Sequence, residues 1–129
     1  MKKIFPYLLI VILILFDQLI KEIILKYTPW AIINPNYFFG FGMSGGIFFL
    51  LAIIIILILG IIVLEKSANI YALFLILAGA LSNLIDRFFR GGVIDYFKIG
   101  LIKFNLADIF LITGVIIYAW SLQREQIKN

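Results

Sequence analysis

"GIFFLLAIIIILILGIIVL" runs from Gly46 to Leu64 without one charged or polar side chain. At about 1.5 Å per residue such a run makes a helix of about 28 Å, the thickness of the hydrocarbon layer of a bilayer. The connection that follows, "EKSAN" at 65–69, is short, and another apolar run begins beyond it. Counting outward, four stretches are long enough to cross a membrane, at 4–26, 47–64, 68–87 and 105–122. The remaining connections, 27–46 and 88–104, are longer and rich in Gly, aromatic and β-branched residues. Within the second, "DYFKIGLIKF" (95–104) alternates as a short hairpin does, and it belongs at the membrane surface.

Composition agrees. Hydrophobic residues make up 64% of the 129 residues, and the mean hydropathy is +1.16. A soluble domain of this size cannot hide that much apolar surface, so the chain reads as one all-α integral membrane domain over residues 1–129. The net charge of +4 comes with no run of basic residues, which excludes a nucleic-acid binder. There is no Cys and no His, which excludes disulfides, thiolate nucleophiles, Ser-His catalysis and the usual zinc sites. The start, "MKKIFPYLLIVILILF", looks like a signal peptide, but no small-residue cleavage site follows and the run continues into "DQLIKEIILKY"; it reads as a retained first span.

Four spans with these connections predict an up-down four-helix bundle with a small β/loop region on one face. The end of the first span, the end of the third and the start of the fourth then meet on that face. Asp17 lies about 20 Å along the first span from Ile4, nearer its far end. Asn83, Asp86, Arg87 and Arg90 close the third span, Asn105 and Asp108 open the fourth, and Asp95 lies between them. Every acidic residue except Glu65 and Glu125 therefore converges on one face. The positive-inside rule does not say which side this is. Lys2, Lys3, Lys66, Arg124 and Lys128 lie on one side, and Lys26, Arg87, Arg90, Lys98 and Lys103 on the other.

Each polar residue has a structural use as well as a chemical one. Asp17 and Lys21, four apart with the acid first, suit a helix ion pair that neutralises two intramembrane charges. Asn83, Asp86 and Arg90 form a stripe that could be a helix end with an interfacial ion pair, and Arg87 could hold a lipid phosphate or orient backbone carbonyls. Asn105 with Asp108 fits a capping box. With Asp95 on the adjoining loop, however, Asp108 becomes half of a carboxylate pair. Two close carboxylates do not both ionise easily, so one acts as base on a water while the other, protonated, hydrogen-bonds a carbonyl. The same carboxylates could instead hold Mg²⁺ or Ca²⁺.

The motifs resemble those of bacterial lipoprotein signal peptidase, the signal peptidase II family. "DQLIK" (17–21), "AGALSNLIDRFFRGGVIDYF" (78–97) and "FNLAD" (104–108) look like that family's motifs in the same order. The resemblance implies an intramembrane aspartic endopeptidase that cuts diacylglyceryl-modified prolipoproteins just before the lipidated cysteine. It implies Asp95 and Asp108 as the catalytic pair, with Asp17, Lys21, Asn36, Asn83, Asp86, Arg87 and Asn105 in support, and neither metal nor other cofactor. It further implies a monomer in the bacterial cytoplasmic membrane, with cytoplasmic termini, an outward-facing site in contact with lipid, and inhibition by globomycin-type cyclic peptides. The chain departs from the family at "NYFFGF" (36–41), where Phe38 and Gly40 occupy positions usually held by small residues, and at Ala78 and Ser82, where glycine is common. Two other readings compete. One is a small four-helix cation exporter that depends on Asp17. The other is a Ser-Lys peptidase using Lys21 with Ser44 or Ser82.

Overall fold

The computed structural model describes residues 5–35, 55, 56, 58, 60 and 69–128. Among the described residues three long helices dominate: α1 (Phe5–Tyr27), α2 (Ile70–Arg90) and α3 (Leu106–Lys128). Between them lie four three-residue strands, β1 (Ile32–Asn34), β2 (Val93–Asp95), β3 (Phe97–Ile99) and β4 (Ile102–Phe104). Of the second apolar run, Ile55, Ile56, Ile58 and Gly60 are helical, and the rest of 47–64 lies outside the described residues, as does Asn36 with most of the 36–41 motif.

Helix ends follow local chemistry. The side chain of Asn69 accepts from Ala72 N at 3.3 Å, so α2 starts two residues later than the apolar run suggests. Gly91 stops it in the left-handed region at φ 74°, its N–H donating to Arg87 O. This C-cap carries α2 three residues past Arg87. α3 runs to Lys128, beyond the 122 expected, because "SLQREQIK" holds good helix formers and no Gly or Pro.

The packing directions are fixed by pairs along the helices. Tyr7 meets Phe74, Asp17 meets Ser82 and Glu22 meets Arg90, so α1 and α2 run parallel. Gly79 faces Ala107 and Leu111 while Gly114 faces Ala72 and Ile76, so α2 and α3 run antiparallel. Both glycines sit where any Cβ would collide with backbone: 2.4 Å from Ala107 O at Gly79, and 2.7 Å from Ala72 O at Gly114. The helices approach this closely only through residues without side chains.

Among the described residues the helix surfaces are largely apolar, and charged and polar side chains are buried beside an apolar core. Leu8, Val11, Ile12, Leu15, Phe16, Leu19 and Ile23 of α1 are exposed, whereas Asp17 and Lys21 on the same helix are fully buried. On α3, Ile112, Val115 and Ile116 face outward. Among the described residues, Ile70–Arg90 and Leu106–Arg124 are long and apolar enough to cross a membrane, each with a mean hydropathy of 1.6. α1 is as long but carries Asp17, Lys21 and Glu22, each in contact with a side chain of α2.

The expected hairpin forms. β3 pairs antiparallel with β4 around Gly100, which takes φ 59°, and Phe97 faces Phe104. A second two-stranded sheet joins β1 to β2, with Ile32 opposite Asp95 and Asn34 opposite Val93. Gly92 lets β1 approach; a Cβ there would lie 2.6 Å from Asn34 O.

Candidate active site

In the second half of α1, two helices, α1 and α2, deliver charge to one place. Lys21 Nζ contacts Asp17 Oδ2 at 2.7 Å, Asp86 Oδ2 at 2.7 Å and Asn83 Oδ1 at 3.1 Å. An ammonium has three N–H donors, so these contacts satisfy it completely in a site that excludes water. Burying an ion costs several kcal/mol unless such partners exist; here an intrahelical and an interhelical carboxylate flank one cation. Ser82 Oγ donates to Asp17 Oδ2 at 2.6 Å. Asp17 Oδ1 is buried with no partner among the described residues.

Asp86 is the hub of this base. It accepts from Lys21 and, at Oδ1, from Gln18 Nε2 (2.8 Å) and Arg90 (2.9 Å), and its Oδ2 accepts from Ile94 N of β2 at 3.4 Å. Arg90 also reaches Gln18 Oε1 at 3.0 Å and Glu22 on the outside. Gln18 further donates to Ser82 O and Oγ. Arg87 holds a position on the same turn, with NH1 donating to Asn83 O at 3.5 Å.

Asn83 leads from this base to the two aspartates. Its Oδ1 accepts from Lys21 and, at 3.1 Å, from Asn105 Nδ2, while its Nδ2 donates to Asp108 Oδ1 at 2.8 Å. Asn105 caps α3 reciprocally: its Oδ1 accepts from Asp108 N and its N–H donates to Asp108 Oδ2, both at 3.0 Å. The capping box thus exists, and it orients Asp108. Asn105 Nδ2 also donates to Asp95 Oδ1 at 3.2 Å. Asp95 Oδ2 accepts from Asn34 on β1 at 2.9 Å. Both aspartates are therefore bound to one residue, Asn105, and each of their four oxygens accepts one hydrogen bond from a neutral amide. Asp108 remains half-buried, so the pair keeps an open side.

The structure brings together Asp17, Lys21, Asn83, Asp86, Asn105, Asp95 and Asp108, with Arg87 at their edge. Asn36 lies outside the described residues. Sequence reasoning passed over Gln18, Asn34, Glu22 and Tyr96. Gln18 adjoins Asp17 and is half-buried beside the Asp17–Lys21 pair, and Glu22 follows Lys21 on the exposed flank of α1; that proximity was the available signal. Tyr96 follows Asp95; its hydroxyl accepts from Leu106 N at 3.1 Å, at the first turn of α3. Burial pushes this phenol up to about 12, against the lowering effect of the Leu106 N–H. Among the described residues, no group of three or more His, Cys, Asp or Glu has the geometry to hold a metal ion.

An apolar-sided helical bundle with its charged side chains turned inward has the architecture of a membrane protein. The comparisons place it further. The signal peptidase (SPase) II family model matches residues 9–124, and the chain belongs to that family. A lipoprotein signal peptidase of Anoxybacillus flavithermus is 32% identical, the match covering 93% of this chain and 88% of that protein. One from Streptococcus pneumoniae is 29% identical over 99% of this chain and 98% of its own. A solved structure described as a bacterial membrane enzyme superposes with a TM-score of 0.78 at 29% identity, covering 94% of this chain and 88% of that one.

Proposed function

We propose that this chain is an intramembrane aspartic endopeptidase that removes signal peptides from diacylglyceryl-modified prolipoproteins, cutting before the lipidated cysteine. The observation that carries this reading is the convergence of Asp95 and Asp108 on Asn105. Family membership supplies the substrate class.

In this mechanism Asp95 and Asp108 share a proton and hold the attacking water on their open side. The ionised member takes a proton from that water. The protonated member hydrogen-bonds the scissile carbonyl. The pair titrates as a unit, and neither aspartate owns the role of base. Amide donors at Asn83, Asn105 and Asn34 fix both carboxylates without adding charge, which leaves the shared proton between them. The ionic base of Asp17, Lys21, Asp86 and Arg90 holds the helices that deliver these amides. Parallel α1 and α2 require a return crossing, and the apolar run 46–64 provides it, giving four spans in a single domain over 1–129. The termini then share one side of the membrane, and the family resemblance makes that side cytoplasmic, with the site facing outward. The enzyme works as a monomer in the lipid bilayer, and globomycin-type peptides occupy the site at Asp95 and Asp108.

The contacts speak against both rivals. A cation exporter needs Asp17 available, and Asp17 already binds Lys21 and Ser82. A Ser-Lys pair at Ser82 needs that hydroxyl on Lys21, and it donates to Asp17; Ser44, the other serine of that reading, lies outside the described residues.

The test is cleavage of a diacylglyceryl-modified prolipoprotein by the detergent-solubilised protein beside Asp95→Asn and Asp108→Asn. Each variant should be folded and slower by about 10³-fold or more, the scale of lost acid–base catalysis. Retained cleavage in either variant overturns the pair. A wild type that never cuts overturns the activity.

A further inference from the structure

The β3–β4 hairpin has two unlike faces. Phe97, Ile99, Ile102 and Phe104 share one, by strand alternation and by the pairing of Phe97 with Phe104 and Ile99 with Ile102. Phe97, Ile99 and Ile102 are exposed, and Leu101 at the turn is 98% exposed. The other face carries Lys98 directly opposite Lys103. Like charges facing each other across an antiparallel pair repel. Both are exposed, and neither forms an ion pair among the described residues.

The hairpin's depth is set by its neighbours. β4 enters α3 through the Asn105 cap, and α3 is apolar outside from Ile109 onward. At the same end Tyr27, Trp30, Phe88 and Phe89 are exposed, the aromatic belt that marks a membrane–water boundary. A hairpin at that level has hydrocarbon on one side and headgroups on the other.

We propose that the β3–β4 hairpin seats on anionic phospholipid headgroups, whose phosphates lie between Lys98 and Lys103 while Leu101 and the Phe97 face enter the acyl region. An anion between the two ammonium groups turns a repulsive cross-strand pair into a bridged one. The headgroup would thereby steady the strand pair that joins Asp95 to Asp108. This rests on the membrane reading given above; it does not need the peptidase activity.

The experiment is hydrogen exchange of the 96–105 amides in full-length protein held in nanodiscs. One set contains phosphatidylcholine alone and another contains a phosphatidylglycerol fraction. Lysines near an anionic surface are each favoured about fivefold, so hairpin protection should rise by about tenfold or more with phosphatidylglycerol. Lys98→Gln with Lys103→Gln should abolish that rise, and Lys98→Arg with Lys103→Arg should keep it. Single glutamine variants should each lose part of it, which covers a double variant that fails to fold. Equal exchange in both lipids, or an undiminished rise in the glutamine variants, overturns the proposal: the lysines would then be merely hydrated. A protein that shows the rise but cleaves no prolipoprotein sinks the activity and leaves this inference standing.

Discussion

Asn83 Nδ2 donates to Asp108 Oδ1 at 2.8 Å while Asn83 Oδ1 receives the ammonium of Lys21. One neutral side chain thus separates a buried cation from a proposed catalytic carboxylate. Lys21 steers Asp108 through Asn83 without forming an ion pair with it. Asn83→Ala should therefore lower kcat/KM by about 100-fold, the cost of misplacing a reacting group by about 1 Å. Asn83→Asp should do worse, because it offers Asp108 a second negative charge in place of a donor. Steady-state cleavage across pH checks both. A substituted protein with wild-type kcat/KM and an unchanged pH profile would remove Asn83 from the site.

Asp86 holds more partners than any other acid in the base, and its removal takes one of two carboxylates from each of Lys21 and Arg90. Asp86→Ala should destabilise the folded state by about 3–5 kcal/mol, the usual effect of breaking a buried charge pair from one side. Asp86→Asn should cost less, since the amide oxygen still accepts from Arg90 or Gln18. Thermal unfolding in detergent reads both. A loss below about 1 kcal/mol in the alanine variant would mean that Lys21 finds sufficient partners in Asp17 and Asn83.

Local chemistry was legible in the sequence and long-range pairing was not. The Asp17–Lys21 pair and the Asn105–Asp108 capping box are contacts at spacings of four and three, and both formed as read. The convergence of three helix ends followed from alternating direction, and the Lys21–Asp86 and Asn83–Asp108 contacts realise it. Gln18 escaped because its partners, Ser82 and Asp86, lie more than sixty residues away. No local period encodes such a partner. The cap residues Asn69 and Gly91 were readable and were overlooked, because the apolar runs were measured by hydropathy alone. The β1–β2 pairing rests on Gly92 admitting the Asn34 carbonyl, a close approach that two glycines in a row hint at without naming the partner.

Gly79 and Gly114 make the same kind of contact at opposite ends of the α2–α3 seam. Gly79→Ala must displace Ala107 O, one residue from Asp108, whereas Gly114→Ala displaces Ala72 O far from it. Each should destabilise by about 1–3 kcal/mol, as overpacking does. Only Gly79→Ala should also cut kcat/KM in the folded fraction, by about tenfold or more, since it moves Asp108 against Asn83. Equal activity in the two folded variants would uncouple seam packing from the site.

Tyr96 offers a pH-dependent test of how α3 is started. Its hydroxyl accepts from Leu106 N, a first-turn donor with no partner within the helix. Tyr96→Phe should destabilise by about 1 kcal/mol, a typical net hydrogen bond. The phenol's pKa in the folded chain is about 12, raised from 10.0. The folded state therefore holds this proton more tightly than the unfolded one. The resulting stability is fully present below pH 10 and is lost as pH rises through 12. Denaturation midpoints followed up this range should fall more steeply for wild type than for Tyr96→Phe, so that the two curves converge at the alkaline end. Parallel curves would mean that the phenol ionises as freely in the folded protein as in the unfolded chain.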